Sequence, residues 1–286
     1  MQFLLLHGWD QYRLSKYEYL GIHADNMDMI ALKYNLELML DDGNVLVNTQ
    51  DGQSYVRPAY TYAADGYSTH HNASCLEEPE FRQAYKQGIN SGHKFGDVDL
   101  RWRVHQYCWA AWHCKQLKGA FVECGVNTGI FSLSVMSYVD FNSIDKDFYL
   151  FDTFAGIPKD QFTESERMIG LDKVHDDSYE DCYEIAKRNF APYQRAHLVK
   201  GRVPQSLCQV EIDKVCYIAI DMNAVAPEIA AAEHFWPKMV SGAIMILDDY
   251  GWNHHVNQKI AFDRFAERNG VKILNLPTGQ GILIKP

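Results

Sequence analysis

The spacing of hydrophobic and polar positions changes near residue 100, and the two parts of the chain predict different architectures. In the first part, Asp42-Gly43 and Asp51-Gly52 separate short apolar runs at 36–40, 45–47 and 55–56. An Asp-Gly pair adopts the positive φ angles of a tight hairpin turn at little cost, so these runs predict a small antiparallel β-meander. The stretch from Tyr60 to Asn72 is aromatic and polar without a period, and a short helix is expected from Glu77 to Gln87, ended by Gly88. Residues 1–100 therefore read as a cap or lid region and not as a second enzyme.

From Arg101 strand and helix patterns alternate with short connections, which predicts a Rossmann-like α/β domain over 101–286, a mostly parallel sheet with helices on both faces. Trp102, Trp109 and Trp112 lie near one side of the first helix, which stops before Gly119, and they are expected to pack onto the sheet. Strands are expected at 120–124, 148–151, 197–200, 215–220 and 243–247. Between them, a helix covers about 128–139, a second opens at Ser178 with Asp181 and buries Cys182, Ile185, Ala186 and Phe190, and a third starts around Pro227. A last helix carries Val256, Ile260 and Phe265 on one face and closes at Gly270. Strands 272–276 and 282–285 then flank a Pro-Thr-Gly-Gln-Gly turn, which predicts a terminal hairpin and one antiparallel strand.

Composition narrows the partners. The 286 residues are 47% hydrophobic and 22% charged, which suits a compact globular chain. A net charge of −10 disfavours nucleic acid and anionic membrane surfaces, both of which select clustered Lys and Arg. Seven cysteines without a C-x-x-C pair suggest reduced thiols and no zinc ribbon. The start lacks a basic segment with a long apolar core, and no run approaches the length of a membrane span, so a soluble cytoplasmic protein is expected.

The chemistry is carried by the ends of the strands. The first reads Glu123-Cys124-Gly125-Val126-Asn127-Thr128-Gly129, an E-x-G-x-x-x-G pattern and not the G-x-G-x-x-G of a dinucleotide site. An acidic residue there repels a pyrophosphate and suits a cationic, hydroxyl-bearing ligand such as S-adenosylmethionine, or else the glycines serve a tight turn alone. Asp152, ending the second strand, is placed for ribose hydroxyls or for an Asx-turn. A phosphatase nucleophile is disfavoured because Phe154 stands where a second Asp belongs. Asp221 ends the fourth strand and Asp248-Asp249 the fifth, so three carboxylates are expected to converge. They repel one another unless a cation intervenes, most simply Mg²⁺ with its oxygen ligands; the bland alternative is helix capping by one or two of them.

With these motifs in place the chain resembles the macrocin O-methyltransferase family of class I S-adenosylmethionine-dependent enzymes over about residues 100–286. The likeness rests on Phe121-Val122-Glu123-Cys124-Gly125-Val126, Asp152-Thr153-Phe154-Ala155-Gly156-Ile157-Pro158, Asp221, and Asp248-Asp249-Tyr250-Gly251. It implies a seven-stranded sheet and O-methylation of a sugar or glycoside hydroxyl. It also implies cofactor contacts at Glu123, Gly125, Asn127, Thr128, Gly129, Asp152, Gly201 and Arg202, and Mg²⁺ held by Asp221, Asp248 and Asp249. The N-terminal part would cover the acceptor and contribute to a homodimer.

One position departs from the family. A second acid commonly follows two residues after the strand-four aspartate; here it is Asn223, whose amide cannot accept a hydroxyl proton. His175 is the expected substitute base, or otherwise a solvated loop histidine, with His254 and His255 as second choices. Asn223 also motivates a rival reading, a cofactor-binding protein that has lost turnover. A nicotinamide oxidoreductase is disfavoured by Glu123 and by the glycine spacing.

Overall fold

The computed structural model describes residues 37–39, 44–48, 54–93, 98–174 and 181–286. The chain divides into two compact units, Met1–Ser74 and Cys75–Pro286. In the first, β1 (Glu37–Met39), β2 (Asn44–Asn48) and β3 (Ser54–Pro58) form the expected antiparallel meander, with Leu46 between Leu38 and Val56. The stretch from Tyr60 to Asn72, read only as aromatic and polar, holds a further hairpin of β4 (Tyr62–Ala64) and β5 (Tyr67–Thr69). It turns on Asp65-Gly66, with φ of 50° and 73°. The Asp-Gly signal was present, but its flanks lack the apolar alternation that marks a strand.

In the second unit, β6 (Ala120–Cys124), β7 (Phe148–Asp152), β8 (Ala196–Lys200), β9 (Val215–Ile220), β10 (Met239–Leu247), β11 (Leu274–Asn275) and β12 (Gly281–Ile284) form one sheet in the order β11-β12-β10-β9-β6-β7-β8. β12 runs antiparallel to both β10 and β11, and the neighbouring pairs from β10 to β8 are parallel. Alternation divides the sheet into two cores. Phe121, Tyr217, Ala219, Ile244 and Ile246 face one helical layer, made of α2 (Arg101–Cys114), α3 (Ile130–Tyr138) and α6 (Tyr183–Phe190). Val122, Ile218, Ile220, Met245 and Leu247 face the other, made of α7 (Val225–Phe235) and α8 (Val256–Arg268). Among the described residues no helix is long and apolar enough to cross a membrane.

Several sequence expectations need correction. Gly88 does not end α1 (Pro79–Ile89); it lies inside the helix, where α1 crosses α3. A Cβ there would stand 2.2 Å from the carbonyl oxygen of Ile130, so the glycine serves close approach and not termination. Trp109 and Trp112 do not pack onto the sheet. They remain 48% and 50% exposed, while Val104, Tyr107, Cys108 and Ala111 form the buried face of α2. Trp112 instead lies edge-on to Tyr138, with the Lys115 ammonium 3.1 Å from its ring centre.

The helix expected from Ser178 begins at Tyr183, where Asp181 Oδ1 accepts the Tyr183 N–H; Ser178 lies outside the described residues. Between β7 and α6 two short helices were not foreseen, α4 (Glu164–Met168) and α5 (Leu171–Val174). The first carries a legible capping box, Thr163 with Glu166.

Candidate active site

Parallel strands bring their carboxyl ends to one edge, and the order β10-β9-β6-β7 sets Asp248-Asp249, Asp221, Glu123 and Asp152 along it. The turn after β6 is held by its own backbone. Gly125 has φ of +92°, and a Cβ at that position would stand 1.7 Å from the Asp221 carbonyl oxygen. Asn127 takes φ of 52° and Gly129, the residue before α3, φ of 103°. A single side chain fixes this turn from the next strand. Asp152 Oδ2 accepts the N–H groups of Val126 at 2.6 Å and Asn127 at 2.8 Å, and its Oδ1 accepts that of Phe154 at 2.6 Å. The Asx-turn is thus present, and a ribose would meet a carboxylate already engaged by three amides.

Glu123 is buried, and its Oε2 has no hydrogen-bond partner among the described residues. Burial pushes its carboxyl up to about 8; the Ser132 hydroxyl draws it back, and the charges of Asp152 and Asp248 raise it further. An unsatisfied buried oxygen beside a glycine turn is the kind of group a cationic ligand would complete. Thr128 is committed elsewhere: its hydroxyl lies 2.8 Å from that of Ser91, and its carbonyl accepts from Asn189. At the end of β8, Gly201 N–H donates to the Asp152 carbonyl, and Arg202 is paired with Asp160 at 2.6 Å on the surface.

Asp221, Asp248 and Asp249 each offer an oxygen within 4.8 Å of the others, so the expected convergence is present. Asp248 is the most enclosed. It accepts from Arg103 Nη1 at 2.6 Å, Tyr107 Oη at 3.0 Å and Gln280 Nε2 at 3.1 Å. Asp221 Oδ1 accepts the amide of Asn223, which stands in the left-handed region at φ of 57°. Burial, then the charges of Asp248, Asp249 and Glu228, push the Asp221 carboxyl up, and Arg103 pulls it down. Asp221 retains some solvent contact, so water at its mouth moderates that push.

The loop between Asp221 and α7 is held by two buried glutamates. Glu228 Oε1 accepts Met222 N–H at 3.1 Å, and Glu166 Oε1 accepts Val225 N–H at 2.8 Å. The donor set is all oxygen and carries more negative charge than Arg103 offsets, which fits a hard divalent cation. His175 lies outside the described residues. His255 is buried, its Nδ1 lies 3.8 Å from Asp249 Oδ2 and 2.5 Å from Gln258 Nε2, and His254 is exposed.

Arg103, Tyr107, Gln280, Glu166 and Glu228 were not foreseen. For Arg103 a signal existed: a charged residue in phase with the apolar stripe Val104, Tyr107, Cys108 and Ala111 is either a misfit or a buried partner of an acid.

A seven-stranded sheet of this order, with a glycine turn after its first parallel strand and acids along the carboxyl edge, defines a class I S-adenosylmethionine-dependent methyltransferase. The chain belongs to the Macrocin-O-methyltransferase (TylF) family, which it matches over residues 99–275. Membership makes it an S-adenosylmethionine-dependent O-methyltransferase.

Among solved structures, the O-methyltransferase NovP is similar at 18% identity and a TM-score of 0.57, covering 64% of this chain and 79% of its own; at that identity it supports the fold. The calicheamicin methyltransferase CalS11 matches at 16% identity, 80% of this chain, 98% of its own and a TM-score of 0.49. None of the curated proteins compared with the chain matches it in sequence.

Proposed function

We propose that this enzyme methylates a hydroxyl of a sugar or related natural product with the assistance of Mg²⁺. The observation that carries the metal reading is the meeting of Asp221, Asp248 and Asp249 within 4.8 Å at the carboxyl edge of the sheet. Family membership supports the sugar acceptor. The overall reaction breaks the bond between the sulfonium and its methyl carbon, forms an oxygen–carbon bond, and releases the hydroxyl proton and S-adenosylhomocysteine. When bound, Mg²⁺ would supply Lewis acidity that makes a coordinated hydroxyl easier to deprotonate.

The protein residues supply placement. Glu123, Gly125, Asn127, Gly129 and Asp152 would hold the cofactor, with Thr128 supporting the turn from behind and Gly201 and Arg202 toward the adenine. Glu123, whose Oε2 lacks a partner among the described residues, is the acid suited to the cationic end of the ligand. Asn223 donates to Asp221 and so orients a metal ligand while leaving the base to another group, for which His175 is the nominee.

Asn223 in place of an acid is the ground for the rival reading, a binding protein without turnover, which family membership disfavours. Calorimetric titration with S-adenosylmethionine, followed by a screen of diol and glycoside acceptors for S-adenosylhomocysteine release, separates them. Binding with Mg²⁺-dependent release supports the proposal, and binding with no release from any acceptor favours the rival. Release that is indifferent to Mg²⁺ and to Asp249→Asn removes the metal from the mechanism.

A further inference from the structure

Arg103 is 4% exposed and is held on three sides. Its Nη1 donates to Asp248 Oδ2 at 2.6 Å, its Nη2 donates to the Thr278 carbonyl at 3.3 Å, and its guanidinium carbon stands 5.2 Å from the centre of the Trp252 ring. The carboxylate it occupies is one of the three that converge within 4.8 Å. Tyr107 and Gln280 donate to the other oxygen of Asp248, so three protein donors fix this aspartate in place.

We propose that Arg103 is the resident cation of the Asp221, Asp248 and Asp249 cluster, and that it sets the affinity of the cluster for divalent ions. The inference rests on the metal reading above. A guanidinium is always charged, is weakly hydrated and forms directed bonds to a carboxylate, which suits it to permanent burial beside Asp248. A divalent ion would share Asp248 with that guanidinium, and the fixed positive charge beside the cluster would oppose its binding. Arg103 thereby offsets part of the repulsion among the three carboxylates and lowers the affinity of the cluster for divalent ions. Loading is favoured when an acceptor supplies further oxygen ligands.

The test is Mn²⁺ titration of the full chain, reading the free ion by electron paramagnetic resonance, for wild type, Arg103→Gln, Arg103→Lys and Asp249→Asn. Circular dichroism and S-adenosylhomocysteine titration establish which variants fold. The expected result is binding at least tenfold tighter in Arg103→Gln than in wild type, with Arg103→Lys between them because a shorter ammonium holds Asp248 at a single point. Equal or weaker binding in a folded Arg103→Gln overturns the role of Arg103; wild-type binding that is lost in Asp249→Asn would then leave the metal reading standing. If Arg103→Gln does not fold, Arg103→Lys decides, at least threefold tighter binding supporting the proposal and equal or weaker binding overturning it. Absence of Mn²⁺ binding in every protein overturns both.

Discussion

Glu166 Oε1 accepts the backbone N–H of Val225 at 2.8 Å, which ties the segment after β7 to the loop that carries Asp221 and Asn223. Its Oε2 accepts both the N–H and the hydroxyl of Thr163, and the whole residue is buried. Glu166→Ala leaves two backbone N–H groups without their acceptor. A fully buried orphaned donor costs about 1–3 kcal/mol; these two are part-buried and water can reach them, so the variant is expected to lose on the order of 1–2 kcal/mol in urea unfolding. Glu166→Gln, which keeps an acceptor oxygen, should recover part of that loss. A wild-type midpoint for the alanine variant would contradict this account.

Gly125→Ala is a more severe change. The residue has φ of +92°, and its new methyl would stand 1.7 Å from the Asp221 carbonyl oxygen, so the ends of β6 and β9 must move apart. Backbone strain of about 1–3 kcal/mol adds to an overpacking cost of similar size. The expected outcome is a melting temperature lowered by several degrees and loss of measurable S-adenosylmethionine binding. Retention of both would show that the turn is softer than its geometry implies.

Glu123 gives the apoprotein a pH dependence of known sign. Its folded-state pKa of about 8 lies above the ordinary 4.5, so between those values the folded protein holds a proton that the unfolded chain has released. Stability contributed by this group is complete below about pH 4.5 and is lost as pH rises toward 8. Glu123→Gln cannot ionise, so its melting temperature relative to wild type should rise from pH 5 to 8 and then level off. A difference independent of pH would refute the burial argument. If the cationic cofactor meets this carboxylate, binding near pH 7 also releases a proton, measurable by calorimetry in buffers of different ionisation enthalpy.

Metal removal is expected to separate chemistry from cofactor binding. Chelation of divalent ions should lower methyl transfer about 100-fold, corresponding to loss of a few kcal/mol of transition-state stabilisation. The S-adenosylmethionine affinity should change little, because Glu123 and the Gly125 turn need no metal to form. Turnover in excess chelator at the untreated rate would be the contrary result.

Much of the sheet was legible because its strands are short apolar runs that end in acids. Val215 to Ile220 is wholly buried, and Asp221 follows it at the edge where ligands meet parallel strands. The partner of Asp248 was not legible in the same way. Arg103 lies 145 residues away, and only the folded arrangement of α2 against β10 brings the pair together.

Gly88 was misread for a related reason. A glycine near a helix end has the same local appearance whether it stops the helix or admits another one, and the carbonyl of Ile130 decides which. The exposed face of α2 was misread because tryptophan is a large apolar residue, whereas the core beside β9 and β10 is filled by Tyr107, Ala110, Ala111 and Cys114.

Asp152 has a consequence for how a ligand arrives. By accepting from Val126 and Asn127 on one oxygen and Phe154 on the other, it locks two adjacent turns as a single piece. The entropy of arranging those turns is lost when the chain folds and need not be lost again at each encounter. Cofactor association at this edge should therefore resemble the seating of a key in a finished lock, with its rate governed by diffusion and orientation and not by waiting for the turn to form.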